Sequence, residues 1–477
     1  MSEMSPRALR SALEEVALTT ENLQGLPAEL AAMRHDLSTE VRRYMTPRLT
    51  DTVESLVIAV VGPGGVGKSA LVNDIVGREV SEEGAIRPTT TTPVRLTGVA
   101  KDASASLGVG SSLSRPRLID APVLGRLVLI DMPATAPVSR IRPADLALVV
   151  VSPERYADAY VWGLVNELDE FGVQAWLVMN RSRGRADEAV EDLRTLTKDV
   201  GRDIPVFAVA ERNLIGQHQT DGGLTELKNA LIELGLASAD EASKSVLRRA
   251  DRLAGTASTF VRDADAFLDE RVRLAEAISI SFASMAAEGA AVADDNELAA
   301  SAEQDWKVTV EDLTDRFSRQ AEAAVAALAL QWRQSAYGGT LLETHEGRDL
   351  SKLPEASENE IRQQLLGWRD EVSRNVRAKL RRNPRQAKIA ELIEAVRIEA
   401  LGGSVKLGWL AKRRLSAPVE DLAKESRRRL RQTLSSLGEY DAARFTKRLG
   451  PGPTREELDA VSIAVGALHE VLGYRDG

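Results

Sequence analysis

The chain has 477 residues, of which 43% are hydrophobic, so it is long enough to bury a sizeable core in two or three structural units. Its formal net charge of −9 argues against general nucleic-acid binding, which needs positive charge to displace counterions from phosphates. The absence of cysteine excludes disulfides and thiolate metal sites and indicates a reducing compartment, so we expect a cytoplasmic protein.

Residues 1–50 are predicted to be helical. Leu9, Leu13 and Val16 recur on one helical face, and Gly25 interrupts the pattern. We expect this segment to pack with the C-terminal helices. The sequence shows no signal peptide and no stretch approaching the ~20 apolar residues that cross a bilayer, so any membrane contact is expected to be peripheral.

Residues 51–236 show short apolar runs that alternate with amphipathic stretches. This pattern is typical of an α/β domain in which helices wrap a mainly parallel sheet. Five runs are predicted to be strands: Leu56–Val61, Leu127–Ile130, Leu146–Val151, Trp176–Met179 and Val206–Val209.

A phosphate-binding motif, G-x-x-x-x-G-K-S/T, follows the first of these runs and precedes a predicted helix. The motif and the first residue after it are Gly62, Pro63, Gly64, Gly65, Val66, Gly67, Lys68, Ser69 and Ala70. The backbone N–H groups of such a loop curl around phosphates, Lys68 reaches toward the β and γ oxygens, and the Ser69 hydroxyl is placed to ligate Mg²⁺. A chance match in a glycine-rich turn is the alternative, which the flanking strand and helix disfavour.

Two further elements complete the predicted phosphate and metal site. A polar loop contains Thr89, Thr90 and Thr91, one of which is expected to close over the γ-phosphate and Mg²⁺. Thr90 is our candidate, although the spacing does not choose among the three and an ordinary loop is the alternative. Asp131 ends the second apolar run, where it is predicted to bind Mg²⁺ through a water. A plain strand-ending aspartate is the alternative.

Residues 237–477 lack the strand pattern and are predicted to form an all-α helical bundle or stalk. An apolar seam repeats there every seven residues, with alanines four positions after its first three members. The seam consists of Val246, Leu253, Phe260, Phe267 and Leu274, with Ala250, Ala257 and Ala264. Packing inside the chain is the simpler interpretation of this seam, and self-assembly is the alternative.

A basic region lies within this helical half. Residues 374–431 carry seventeen Lys and Arg against six Asp and Glu. Inside it, residues 402–415 place Trp409 and aliphatic residues beside a basic cluster, a composition typical of a membrane-interface tip. An anionic membrane surface is therefore one predicted partner. A hairpin between helices, with Trp409 packed in the bundle, is the second interpretation, and nucleic acid is the third.

Taken together, these motifs resemble the bacterial dynamin-like GTPases. Residues 121–133 are similar to the dynamin-type stretch that leads into a D-x-P-G turn. A second run is similar to one in bacterial dynamin-type GTPases that work as neighbouring pairs: Glu154-Arg155-Tyr156-Ala157-Asp158-Ala159. The resemblance covers residues 56–236, while the helical remainder matches in architecture only. It implies GTP hydrolysis coupled to self-association and membrane remodelling.

The chain departs from this family at three places. Gly65 stands where dynamins usually carry a catalytic serine, and Ala134 replaces the glycine of D-x-P-G. The base-reading motif N/T-K-x-D is represented by Asn180 and Arg181, but Arg183 replaces the aspartate that accepts hydrogen bonds from guanine. We expect Asn180 to bond the base and the Arg181 stem to stack on it.

The first predicted function is Mg²⁺-dependent GTP hydrolysis, with Lys68, Thr90 and Asp131 as catalytic residues and Ser69, Thr90 and Asp131 around the metal. We expect a homo-oligomer or a heterodimer with a related GTPase. The alternatives are a degenerate, nucleotide-regulated scaffold that pairs with a catalytically stronger relative, which the three departures favour, and an ATP-binding P-loop protein.

Overall fold

The computed structural model describes residues 5–49, 55–82, 92–98, 116–182, 186–199, 204–211, 222–292, 306–342, 350–379, 386–401 and 409–473. Three predicted features lie outside these residues: the loop threonines Thr89, Thr90 and Thr91, then Arg183, and residues 402–408 of the basic region. Only the backbone is described for residues 409–418. The chain divides into two compact units, Met1–Asp263 with Thr454–Gly477, and Ala264–Pro453.

The first unit contains a seven-stranded sheet. Its strands are β1 (Leu56–Val61), β2 (Val94–Thr97), β3 (Arg117–Asp120), β4 (Leu127–Asp131), β5 (Leu146–Val151), β6 (Gln174–Ser182) and β7 (Val206–Ala210). They lie in the order β3-β2-β4-β1-β5-β6-β7, and every neighbouring pair is parallel except β2 with β4. The predicted fold class, a mainly parallel α/β domain followed by a helical region, is confirmed.

The described chain also contains α-helices. In the first part they are α1 (Pro6–Asn22), α2 (Ala28–Glu40), α3 (Thr46–Arg48), α4 (Lys68–Val76), α5 (Ala159–Glu170), α6 (Ala186–Asp199), α7 (Gly222–Leu236) and α8 (Ser238–Val292). They continue as α9 (Trp306–Gln334), α10 (Gly338–Leu342), α11 (Glu355–Lys379), α12 (Gln386–Ala400), α13 (Trp409–Ser436), α14 (Glu439–Leu449) and α15 (Arg455–Leu472). No helix in these described ranges is long and apolar enough to cross a membrane.

The sheet is covered by helices on both faces because its central strands are apolar at every position. In β1 alternate residues point to opposite faces, and all six are buried. Leu56, Ile58 and Val60 join a core with α4 and α7, whereas the intervening residues join a second core with α5 and α6. These two cores hold the carboxyl end of β1, where the phosphate-binding motif begins, in a rigid setting.

The N-terminal helices belong to the same compact unit as the sheet. Helix α1 packs against α2 and α15 through the predicted apolar face, in which Leu9, Leu13 and Val16 are buried. Helix α15 begins at a capping box, in which Thr454 and Glu457 exchange hydrogen bonds. The division of the chain into domains at residues 50 and 236 remains a proposal.

The second unit is entirely helical within its described residues. Its core includes Trp332 and Phe445, whose rings meet edge to face with centroids 5.2 Å apart. Every residue of the predicted seam on α8, Val246 to Leu274, is buried within the chain. Burial inside one chain agrees with the intramolecular interpretation of the seam rather than with self-assembly through it.

Candidate functional site

The candidate site lies where the carboxyl ends of β1, β4, β5 and β6 meet. Strands β2, β3 and β4 follow β1 in the chain and lie on one side of it in the sheet. The next strand, β5, pairs with the other side of β1. Such a switch point leaves a crevice at the carboxyl edge of a parallel sheet, and ligands bind there. The loop of residues 62–67, hereafter the P-loop, begins at this edge and leads into α4.

The backbone of the P-loop requires glycine at particular positions. Gly62 has φ of 134°, and a Cβ built on it would lie 2.2 Å from the carbonyl oxygen of Val150 in β5. Gly65 has φ of 84°, in the left-handed region that non-glycine residues rarely adopt. A serine at position 65, where dynamins usually carry one, would therefore be strained in this loop.

Lys68 is buried beneath the loop, where its ammonium donates hydrogen bonds to the carbonyl oxygens of Gly62 and Pro63, each at 3.0 Å. Burial lowers the pKa of Lys68, while the nearby charge of Asp131 opposes the shift. An anion at this loop would stabilise the ammonium form. The position agrees with the predicted role of Lys68 in holding phosphate, which remains a prediction.

Asp131, at the end of β4, is fully buried and gathers two hydroxyl groups. Ser69 and Ser81 both donate to its Oδ2 atom, at 2.8 Å and 2.6 Å. Among the described residues nothing donates a hydrogen bond to Oδ1, although that atom is buried. Burial raises the pKa of Asp131, against the lowering effects of the two hydroxyl hydrogen bonds and of Lys68.

These groups fit a divalent cation. A buried carboxylate oxygen without a donor is costly unless a positive charge meets it, and hydroxyl and carboxylate oxygens are the ligands that Mg²⁺ prefers. Ser69 and Asp131, both predicted metal residues, lie within hydrogen-bond distance of each other. Thr90, the third predicted metal residue, lies outside the described residues.

Ser81 was not predicted from the sequence, and Asn73 explains its position. The side-chain oxygen of Asn73, on α4, accepts hydrogen bonds from the backbone N–H groups of Val80 and Ser81, at 2.8 and 2.9 Å. The Asn73 amide nitrogen donates to the Ser81 carbonyl oxygen at 2.9 Å. No known motif places an asparagine in a helix at this distance from a serine. The sequence therefore gave no indication of the hydrogen bonds between Asn73 and residues 80–81.

Asn180 joins the end of β6 to the P-loop. Its side-chain nitrogen donates to the carbonyl oxygens of Val66 and Gly67, at 2.9 and 3.3 Å. The neighbouring Arg181 has φ of 61°, and its side chain passes close to Gly67. The structure thus brings both predicted base-binding residues beside the P-loop. The contacts of Asn180 hold the loop, while its contact with a base remains a prediction.

A family model described as "50S ribosome-binding GTPase" matches residues 57–181. This segment runs from β1 into β6 and contains the P-loop, Asp131 and Asn180. The prediction of a P-loop GTPase domain is therefore confirmed for these residues. No curated protein matches the chain.

Similar solved structures include one described as "An oligomerised bacterial dynamin pair provides a mechanism for the long range sensing and tethering of membranes", 10% identical over 98% of this chain and 96% of that chain, with a TM-score of 0.39. The LeoA bacterial dynamin GTPase from ETEC is 14% identical over 98% of this chain and 97% of that chain, with a TM-score of 0.27. Both are bacterial dynamins, the family that the motifs resemble.

A third similar structure is Toc33 from Arabidopsis thaliana in complex with Mg²⁺ and GMPPNP. It is 16% identical over 48% of this chain and 97% of that chain, with a TM-score of 0.24.

Proposed function

Because residues 57–181 match a GTPase family model, we propose that this protein is a dynamin-like GTP-binding protein that hydrolyses GTP with Mg²⁺. One observation supports this proposal above the others. A buried ammonium and a buried carboxylate, Lys68 and Asp131, lie at the carboxyl edge of the sheet beside a glycine loop, and each has its pKa shifted toward the neutral form. A metal–triphosphate complex presents the opposite charges to both groups.

Each side chain then has a distinct role. Lys68 holds the β and γ oxygens, and Ser69 and Asp131 hold the metal, directly or through water. Ser81 and Ser69 fix the orientation of the Asp131 carboxylate through their hydrogen bonds. Mg²⁺ held by these residues would supply positive charge to the phosphate oxygens during transfer of the terminal phosphoryl group. The predicted threonine, Thr90, is proposed to close on the same oxygens.

Specificity for guanine is part of the proposal and is supported by the family match. Asn180 and Arg181 lie beside the P-loop, where a base would follow the phosphates. Arg183 cannot accept hydrogen bonds from guanine N1 and N2, so discrimination against ATP is expected to be weaker than in a site that carries an aspartate.

Coupling of the GTPase cycle to self-assembly or hetero-assembly, and to peripheral membrane remodelling, is proposed from the resemblance of the motifs. The second candidate function is a scaffold that binds nucleotide without turnover and pairs with a more active relative. The left-handed backbone at Gly65, which disfavours the usual serine, supports this alternative. The two functions share the nucleotide site and differ in hydrolysis.

A phosphate-release assay distinguishes the GTP-hydrolysing enzyme from the scaffold. Purified protein should release phosphate from GTP faster than a Lys68→Ala variant, and the difference should require Mg²⁺. Equal rates from the two proteins would reject the enzymatic function. Nucleotide binding without turnover, with turnover restored by a partner GTPase, would support the scaffold instead.

A further inference from the structure

The segment that follows β5, residues 152–160, covers the end of the candidate site at which the P-loop meets the turn after β4. Arg155 donates from its guanidinium to the carbonyl oxygen of Gly64 at 3.3 Å. The Tyr160 hydroxyl donates to the carbonyl oxygen of Ala134 at 3.3 Å. One short segment therefore contacts both the P-loop and the turn after β4 that contains Ala134.

These two contacts lie close together. A Cβ built on Gly64 would be 3.7 Å from the Cβ of Ala134, so the P-loop and the turn face each other across a short gap. Lys68 contacts the carbonyl oxygens of Gly62 and Pro63, and Arg155 contacts the next one along the loop. Two cations thus flank the loop, Lys68 from beneath and Arg155 from the side of the turn.

The Arg155 side chain is held by an ion pair outside the P-loop, so its bond to the loop carbonyl oxygen can be exchanged for another. Its guanidinium also pairs with Asp158 at 2.8 Å, and Asp158 accepts a hydrogen bond from the backbone N–H of Tyr160 at the start of α5. The Arg155 side chain remains 44% exposed, and a guanidinium has five N–H donors. It can keep the Asp158 contact while exchanging a neutral carbonyl for a charged phosphate oxygen, which is the stronger acceptor.

The P-loop itself supplies no polar side chain between Gly62 and Lys68, because the intervening residues are Pro63, Gly64, Gly65, Val66 and Gly67. Charge on the departing phosphoryl group must then be met by backbone N–H groups, Lys68, the metal and any cation nearby. Arg155 lies in place to be that cation.

We propose that Arg155 is a catalytic residue that stabilises the transferred phosphoryl group in cis, an inference that rests on the proposed GTP hydrolysis. In this reaction a water oxygen bonds to the γ-phosphorus while the bond from that phosphorus to the β–γ bridging oxygen breaks. The electron pair leaves on GDP, and the water proton passes to the phosphate product or solvent. Arg155 transfers no proton and supplies charge.

Single-turnover hydrolysis of GTP and binding of fluorescent GTP test the role of Arg155. Arg155→Ala should bind GTP within about threefold of wild type but hydrolyse it about a thousandfold more slowly, the range for an arginine of this kind. Arg155→Lys should recover little, because an ammonium lacks the planar pair of donors. Arg194→Ala is the matched control: this arginine is 48% exposed and pairs with Glu191 on the surface of α6.

A second readout is independent of turnover. GDP with aluminium fluoride mimics the transition state. Wild type and Arg194→Ala should therefore bind fluorescent GDP more tightly when aluminium fluoride is present than when it is absent, whereas Arg155→Ala should not. If wild type hydrolyses GTP and Arg155→Ala matches it in both assays, the inference fails while the proposed function stands. If wild type does not exceed Lys68→Ala, both fail.

Mixing Arg155→Ala with Lys68→Ala distinguishes an arginine acting in cis from one supplied by a neighbouring copy. A cis arginine predicts that the mixture is no faster than its components. Recovery of hydrolysis in the mixture would show that Arg155 acts in trans and would overturn its proposed role in cis.

Discussion

Lys68 and Asp131 are both buried, and burial shifts the pKa of each toward its neutral form. The described partners do not offset this cost: Lys68 donates to two loop carbonyl oxygens there, with the charge of Asp131 nearby, and Asp131 leaves Oδ1 without a donor in the same residues. Structural ion pairs are normally more fully satisfied. The charges of Lys68 and Asp131 are therefore expected to be balanced by a bound ligand that carries charges of opposite sign.

Ser81 provides a test of this arrangement. Replacing Ser81 with Ala removes one of the two hydroxyl donors that orient Asp131, and loss of such a partner typically weakens metal affinity by 10–100-fold. We expect the Mg²⁺ concentration needed to retain a fluorescent GTP analogue to rise about tenfold. The matched control is Ser243→Ala, because that exposed serine on α8 donates to the carbonyl oxygen of Ala239 in its own helix. An unchanged Mg²⁺ requirement in Ser81→Ala would contradict the role given to Asp131.

The sequence predicted the site residues whose positions are set by a motif or a strand end, and it missed those whose positions depend on a hydrogen-bonded turn. Lys68, Ser69 and Asp131 follow from the motif spacing and strand ends, because a phosphate-binding loop needs those groups at those positions. Ser81 and Asn73 contact the same site through a turn held by three side-chain hydrogen bonds. Such a turn depends on local geometry that no residue spacing encodes.

At the scale of elements, a buried polar cluster joins the N-terminal helices, the sheet and α8 within the first unit. Arg249 on α8 is completely buried and pairs with Glu40 of α2. It also donates to the backbone carbonyl oxygens of Arg142 and Ala144, and its guanidinium lies over the Tyr44 ring, 3.6 Å from the centroid. One side chain on α8 therefore contacts two other parts of the chain, residues 40–44 and residues 142–144, that are distant in sequence.

Asp145, just before β5, extends this cluster. It accepts hydrogen bonds from the Tyr44 hydroxyl at 2.6 Å and from the backbone N–H of Val57 at 2.7 Å, and it pairs with Arg48 at 2.7 Å. Ser245 on α8 lies 2.8 Å from the Tyr44 hydroxyl. The cluster holds the amino ends of β1 and β5, whose carboxyl ends carry the P-loop and the Arg155 segment.

Arg249→Met is expected to lower the free energy of unfolding by about 3–5 kcal/mol, because it leaves Glu40 and two carbonyl groups without a buried partner. Arg252→Met, one turn along α8, removes an ion pair with Asp169 in which Arg252 is 43% exposed, and should cost below about 1 kcal/mol. Urea unfolding measures both, and hydrogen exchange should localise the first effect to α2 and the start of β5. Equal losses in the two variants would contradict this account of the cluster.

The strands show where pattern reasoning succeeds. All five predicted strands are present, because strands buried on both faces read as continuous apolar runs. Strands β2 and β3, each four residues long, were not predicted from the sequence. In β2 an arginine interrupts the apolar residues, and β3 is a mostly exposed edge strand, so neither forms the apolar run that marks the others.

At the scale of the whole molecule, the basic region divides into two parts. Several of its described arginines bond groups within the second unit: Arg397 pairs with Glu394, and Arg427 donates to the backbone carbonyl oxygens of Glu399 and Ala400. Those contacts indicate a structural role for these two arginines. The membrane hypothesis therefore rests on residues 402–415, whose side chains lie outside the described residues.

Flotation with anionic vesicles tests this hypothesis on the full chain. Wild type should float with vesicles that contain anionic lipid, Trp409→Ala should float less, and neither should float with neutral vesicles. Attraction of the basic cluster should weaken as salt rises, since each basic residue contributes about 1 kcal/mol near an anionic surface. Absence of wild-type protein from the anionic vesicle fraction at low salt would reject membrane contact through this tip.

Calorimetric titration with GTP in the presence of Mg²⁺ determines whether the site around Lys68 and Asp131 holds a triphosphate. We expect heat of binding from GTP, weaker binding of ATP, and a loss of affinity of about 30-fold or more in Lys68→Ala, because a buried charge contact is removed. No heat from either nucleotide, or unchanged GTP affinity in Lys68→Ala, would show that Lys68 and Asp131 do not form a triphosphate site.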